Sequence, residues 1–598
     1  MGGTNLRLME YLILLRARHK AVKPYEEISI SISEIAETFC SSIRNTNYLL
    51  KKLSEEQRIT WKPGRGRGNL STLVYHSSFS ETVEEYIFQM SAENRVGDIV
   101  DLANSPTLSE ENQKFLFQSL YEKLGPSIEH SHFGTKSILR IILPQEVHSL
   151  DPLETIFYSE AHLVNQIFNT LVSYNSELNQ TNPCIAYAWK KKHNGRKWTF
   201  YLRKSVRFHN GEMVTAKEVQ YTMKRILIEG SHSAIYPLLK DIREVVIVDD
   251  FTIAFHLERE NLFFPRILSS FHCSIIHPSH SQNHIPIGTG PFLVKEFNKN
   301  FICLQAFEEY FRERALIDQL DIWMNKRGHA YPNQFTALNA TEKDSNPVIL
   351  DYQLLGSRFL AFNQNKEGYQ HNLYFKLAIQ EIMNPVEMIK GLGGNRSLAA
   401  TSFLPDVSRL YKINKSSIAK AKEYLLRSGY NGETIYLYYF NLNEGYESAE
   451  WLQKQGRKIG LSLNLHPINY DTDESILNGD ILLLSVILDQ DVELSLLTIY
   501  KSENSFFRKF LDKDTQKNID LELEVFQRVE TSEGRMVHLQ RIEDMLKENV
   551  LVHFLYHATN KLSYQPFLKG LEINSLGLPD YHHLWIDPED ELVHVSKL

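Results

Sequence analysis

The string that most constrains this 598-residue chain is Gly64-Arg65-Gly66-Arg67-Gly68-Asn69. Glycine at alternate positions weakens a helix and leaves a strand little to pack, so the segment has to turn. Two β-prone runs bracket it, Ile59-Thr60-Trp61-Lys62-Pro63 before and Leu70-Ser71-Thr72-Leu73-Val74-Tyr75 after. The pattern predicts a hairpin with an arginine-tipped turn. Glycines there allow positive φ and close approach to a phosphate backbone, and the arginines supply phosphate or minor-groove contacts. A nucleotide-binding glycine loop would stand between a strand and a helix, whereas this one stands between two strands.

Ahead of the hairpin the spacing predicts three helices. Leu6, Met9, Leu12, Ile13 and Leu15 form one apolar face. Ser31-Ile32-Ser33-Glu34 reads as a capping box for a short second helix with Ile32, Ile35, Ala36 and Phe39 inward. Ser41 or Ser42 caps a third, running to about Leu53. Ile43, Leu50 and Leu53 are expected inside, with Arg44, Asn45, Tyr48, Lys51 and Lys52 outside. Two short helices and a tight turn match a helix-turn-helix, whose second helix enters the major groove. Arg44 and Asn45 sit in its first turn, where arginine can pair with guanine and asparagine with adenine. Charge agrees: residues 1–75 carry 12 Lys/Arg against 7 Asp/Glu, while the rest of the chain carries 53 against 66. Only the head is built to meet a polyanion.

Ser42-Ile43-Arg44-Asn45 through Leu53, followed by Trp61 to Asn69, resembles the N-terminal domain of SgrR-type transcriptional regulators. The resemblance implies a winged DNA-binding domain, expected over residues 1–78. Its duplex-facing set would be Ser42, Arg44, Asn45, Tyr48, Lys51, Lys62, Arg65, Arg67 and Asn69.

A chain this long cannot share one core, since single cores stop growing at roughly 250–300 residues. Residues 79–135 read as a helical connector, broken at Pro106 and ended by Gly125-Pro126. It could carry a signal, form a homodimer contact, or simply space the domains. From residue 136 short strands and helices alternate to the end, indicating α/β lobes.

Several strings there are similar to the family 5 solute-binding proteins of peptide ABC transporters. They include Leu150-Asp151-Pro152, Trp198-Thr199-Phe200, Val206-Arg207-Phe208-His209-Asn210-Gly211, Ile287-Gly288-Thr289-Gly290-Pro291-Phe292 and Phe403-Leu404-Pro405. The resemblance implies a multidomain chain: an α+β winged helix-turn-helix head, then a two-lobed α/β body of periplasmic-binding-protein type II (class C) over 136–598. Hinges are expected near 359–363 and 552–556. In Ser485 to Asp491, Asp489 falls where relatives pair an aspartate with a peptide amine, so Asp489 and Gln490 are the expected ligand contacts. A solvated loop acid is the competing reading of Asp489.

Other chemistry finds little footing. No GxSxG, HExxH or P-loop string occurs, and no cofactor or enzyme activity is expected. His272, His277, His280 and His284 are the densest set of metal-type ligands, but Pro278 and Pro286 make theirs a loop, and surface histidines are the preferred reading. The four cysteines form no CxxC pair. Neither an export signal nor a membrane-spanning run is readable, so a cytoplasmic chain with no membrane insertion is expected. The functional expectation is a transcription regulator that binds double-stranded DNA and senses a small solute: a peptide, sugar, sugar phosphate or thiamine-like cation. The alternative is a substrate-binding component of an ABC transporter.

Overall fold

Ser31 and Ser42 start the two helices that the sequence assigns to a helix-turn-helix. The Ser31 hydroxyl accepts from the Glu34 amide at 3.2 Å and that of Ser42 from the Asn45 amide at 3.3 Å. In the computed structural model the head runs α1 (Gly3–Arg18), β1 (Glu27–Ile30), α2 (Ile32–Thr38), α3 (Ile43–Glu55), β2 (Ile59–Lys62) and β3 (Ser71–Tyr75). The residues described are 3–64, 70–93, 95–121, 126–131, 134–143, 146–155, 157–279, 285–325, 348–413, 415–440, 443–468, 474–564, 566–574 and 577–587. The hairpin pairs from Ile59↔Tyr75 to Lys62↔Thr72, as its β-prone runs predict. A third strand, β1, pairs with the other side of β3 from Glu27↔Val74 to Ile30↔Ser71. The alternation of Ile28 and Ile30 around Ser29 is its sequence signal.

Inside this head lies Arg16, almost fully buried, with its guanidinium 4.4 Å from the Tyr75 ring centre. It donates to the carbonyls of His19 (3.3 Å) and Val22 (3.1 Å), closing the end of α1. Burial lowers its pKa, while the cation still gains from the aromatic face.

The segment expected as a separate connector forms α4 (Phe79–Ala92), α5 (Val96–Ala103) and α6 (Glu110–Tyr121). Its apolar residues Val83, Tyr86, Ile87, Ile99, Phe117 and Leu120 join Leu12, Leu50, Leu53 and Tyr75 in one core. That core also takes in Ile142 and Trp323 from the next domain. At the same seam the Asn104 amide donates to the Met324 carbonyl at 3.1 Å, and Asn300 bonds Asp101. Head, helices and first body sheet therefore meet through shared apolar packing.

Among the described residues the body holds three larger sheets and two two-stranded ones, 172–175 with 180–183 and 568–569 with 585–586. The first orders its strands 292–297, 301–306, 319–324, 134–143 and 126–131, with 319–324 parallel to 134–143. The second is antiparallel, ordered 242–249, 252–257, 197–202 and 186–192. The third orders 348–353, 552–564, 356–362, 481–487, 435–440 and 463–468, and 396–399 also pairs with 552–564. The two segments expected as hinges lie side by side in the third sheet. Residues 359–361 pair with 552–554 inside the third sheet, where Phe359, Leu360 and Val552 are buried. Beyond Tyr564, Phe567 and Leu568 enter the first sheet's core.

Candidate nucleic-acid interface and solute loop

One stripe of α3, Thr46, Leu49, Leu50 and Leu53, is buried at the i, i+3, i+4, i+7 spacing of an amphipathic helix. This fixes which face remains outside. Ser42, Arg44, Asn45, Tyr48, Lys51 and Lys52 are all exposed, Tyr48 at 57%. Ile43, expected inside, is 51% exposed. As the first helical residue it lies ahead of the buried stripe, and Leu49 takes the inward place. Asn45 is tethered, its amide donating to the Ser41 hydroxyl at 2.8 Å. Lys51 and Lys52 stand 3.8 and 3.6 Å from Glu55. Among the described residues no carboxylate pairs with Arg44.

On the hairpin, Lys62 is exposed and 3.7 Å from Glu27 of β1. The Gly64 amide donates to the Ser71 hydroxyl at 3.1 Å, drawing the strands together at the base of the turn. Arg65, Arg67 and Asn69 lie outside the described residues.

In the body, strand 481–487 ends at the loop carrying Asp489 and Gln490, both exposed. The Asp489 carboxylate accepts from the Gln490 amide at 2.6 Å, and the Asp489 amide donates to the Ser495 hydroxyl at 3.0 Å. Two segments from the first half of the body close on this loop. Tyr158 places its hydroxyl 3.3 Å from the Ile487 amide and 3.4 Å from the Ile487 carbonyl. Ser176 donates to the Gln490 side-chain carbonyl at 3.4 Å.

Beneath the loop sits an ionic group that the sequence does not reveal. Arg266 donates to both carboxylate oxygens of Asp491, at 2.6 and 2.8 Å. Its guanidinium also lies 3.9 Å from the Tyr174 ring centre and 3.5 Å from Glu493. Glu493 is bonded in turn by Arg535 and Ser532. All four charged side chains are buried, and Asp491 additionally caps the helix Val492–Lys501 through the Leu494 amide at 2.9 Å. Burial pushes the Asp491 carboxyl up, against the pull of Arg266. Asp491 had one readable signal, an acid just ahead of an apolar helical run. Arg266, 225 positions away, had none.

The histidines resolve into structural roles. His209 accepts from the Gly288 amide at 3.2 Å and donates to the Gly290 carbonyl at 3.1 Å; burial lowers its pKa to about 4. His272 is buried with Nδ1 2.7 Å from the Pro152 carbonyl, and His277 contacts Ser279 and Glu212. His280 and His284 lie outside the described residues. Among the described residues no three His, Cys, Asp or Glu side chains gather as a metal site, and no helix is long and apolar enough to cross a membrane.

Comparison with known proteins agrees with both halves of this geometry. Residues 7–126 match the family described as sugar transport-related sRNA regulator, N-terminal, and residues 180–505 match bacterial extracellular solute-binding proteins, family 5, middle. The chain is similar to YhjP of Bacillus subtilis, 27% identical over 93% of this chain and 96% of that protein. It is also similar to the HTH-type transcriptional regulator SgrR of Yersinia enterocolitica, 25% identical over 94% of this chain and 96% of that one. Among solved structures, the murein tripeptide-binding protein MppA of Escherichia coli superposes with a TM-score of 0.61 at 21% identity, over 75% of this chain and 98% of that one. DppA of Helicobacter pylori, in complex with the peptide STSA, gives 0.63 at 19%, over 75% and 98%. These likenesses show the type II binding-protein fold of the body. With one family model spanning more than half of its residues and another its head, the chain belongs to the family 5 bacterial extracellular solute-binding proteins and carries an SgrR-type N-terminal domain in front of that fold.

Proposed function

We propose that this chain is a cytoplasmic transcription regulator that grips duplex DNA with its head and senses a small solute with its body. One observation carries the reading: α3 buries one face completely and offers Arg44, Asn45, Tyr48 and Lys51 on the other. Ser42 and Lys62, also exposed, are assigned to the same contact, together with Arg65, Arg67 and Asn69. Relatives named as HTH-type transcriptional regulators, alike over nearly the whole length, support it.

The solute is assigned to the loop at Asp489 and Gln490, where an ammonium group would meet a carboxylate. A peptide fits this best, since the body shares the fold of peptide-binding proteins; sugars and sugar phosphates are the other classes. The body acts as a receptor, with no reaction of its own. The shared core at Ile142 and Trp323 gives lobe movement a route to the head, so solute and DNA would alter each other's affinity by the same factor. Duplex binding by the full chain, titrated with salt, tests the reading. Affinity that falls steeply with salt and weakens on Arg44→Ala supports it; indifference to duplex DNA at low salt sinks it.

A further inference from the structure

Residues 190–204 hold seven Lys/Arg and no Asp/Glu, inside a body whose net charge is negative. They belong to the second sheet of the body. Trp198, Phe200, Leu202, Ile253 and Phe255 point into its core, so the residues between them face the opposite way. Lys190 pairs in register with Thr199, and Lys192 with Lys197, which puts all three lysines on that outer face. Lys197 in turn pairs with His256, and His256 with Glu244 of the next strand. Arg243 adjoins at the far edge. Cationic side chains thus stand on three of the four strands, with the neutral His256 on the fourth, over a span of about 14 Å at ~4.8 Å per strand spacing.

Most of this charge is not held in ion pairs, although Glu244 stands on the same face. Lys191 and Arg196 have partners, Glu530 at 2.6 Å and Glu260 at 3.7 Å. Among the described residues no carboxylate pairs with Lys190, Lys192, Lys197 or Arg243; Lys190 rests instead on the Tyr201 ring at 5.3 Å. Burial and then Lys197 hold His256 below its usual pKa, Arg243 and His193 add to the effect, and Glu244 opposes it. Lysines on an edge strand can serve merely to discourage pairing with other strands. That accounts for Lys190 and Lys192 on 186–192. It covers Arg243 on the opposite edge as well, but not Lys197 on an inner strand.

We propose that this open sheet face is a second phosphate-binding surface, laid against the backbone of duplex DNA beyond the segment that the head grips. A duplex carries about one negative charge per 1.7 Å of axis, which suits a flat band of cations with no base-reading shape. The inference rests on the head binding duplex DNA, because tethering by the head raises the effective concentration of phosphate at the sheet and makes a weak contact count.

The test uses the full chain and a duplex of about 60 base pairs, long enough to run past the head's site. The four-fold variant K190Q/K192Q/K197Q/R243Q should lower the slope of log affinity against log salt by about 3 and weaken binding by ~10-fold or more at moderate salt. An unchanged slope overturns the proposal. So does loss of binding to phosphatidylserine vesicles with the DNA slope intact, which would assign the face to a membrane surface. K190E/K197E with a native unfolding midpoint serves as the second variant and should weaken binding further; no loss of DNA affinity there also overturns the proposal. Arg44→Ala separates the two claims: if it weakens binding while the four-fold variant leaves the slope unchanged, the head assignment stands and the sheet face fails.

Discussion

Arg266 and Asp491, 225 residues apart in sequence, form a buried two-point ion pair that fastens the loop of Asp489 and Gln490 to the first half of the body. The adjoining Glu493 and Arg535 make it a network of two acids and two bases. Removing one member leaves a charge without its partner in a dry site, which typically costs about 3–5 kcal/mol. Arg266→Ala should destabilise the chain on that scale in denaturant unfolding, whereas Arg266→Met with Asp491→Leu should recover most of the loss. Equal destabilisation by the single and double variants would show that the pair is not the source.

On α3, Arg44→Ala should erase discrimination at one base position, worth about 1–3 kcal/mol, in competition binding with single-base operator variants. Lys51→Ala should weaken all sequences alike and reduce the salt slope by about 1. If Lys51→Ala changes sequence preference and Arg44→Ala does not, the helix docks in another orientation.

Among the described residues five histidines shape the acid limb of stability. Burial lowers His162, His209, His272, His553 and His557 to about 4. Each is free to protonate near its ordinary value of about 6.5 once unfolded. Between those values the unfolded chain binds more protons, so stability falls as pH drops from about 6.5 toward 4, by up to ~1.4 kcal/mol per pH unit for each histidine, and is flat above that window. Unfolding midpoints measured across this range check it. His553→Gln should flatten the slope by one histidine's share, and an unaltered slope would refute its part.

The Gly288-Thr289-Gly290 string earns its glycines by close packing. A Cβ on Gly288 would stand 1.9 Å from the Ile167 carbonyl oxygen, and one on Gly290 2.5 Å from that of Gln166. Both obstacles are backbone at the end of helix Tyr158–Ile167 and cannot swing aside. Gly288→Ala and Gly290→Ala should each cost about 3 kcal/mol or more, at the upper end for overpacking. Gly211→Ala is the comparison, with open space around its Cβ and only its positive φ of 87° to strain it. Thermal melts that rank Gly211→Ala as the worst of the three would contradict this account.

What the sequence determined by itself was local and periodic. Ser31 and Ser42 mark helix starts because a cap needs only the next three residues. Thr215 does likewise ahead of Ala216–Glu229. The runs about Gly64–Asn69 announce a hairpin because strand pairing across a short turn is local, and charge segregation marks the head. Tertiary structure decided the rest. Whether α4 to α6 stand apart or join the head depended on what Trp323 and Ile142 could cover, and those residues are remote in the chain. Phe359–Phe362 reads in the sequence only as an apolar run, and its pairing on both sides inside the third sheet is set by strands remote in the chain. Arg266 was invisible for the same reason: a lone arginine acquires its role only when folding removes water and sets Asp491 against it.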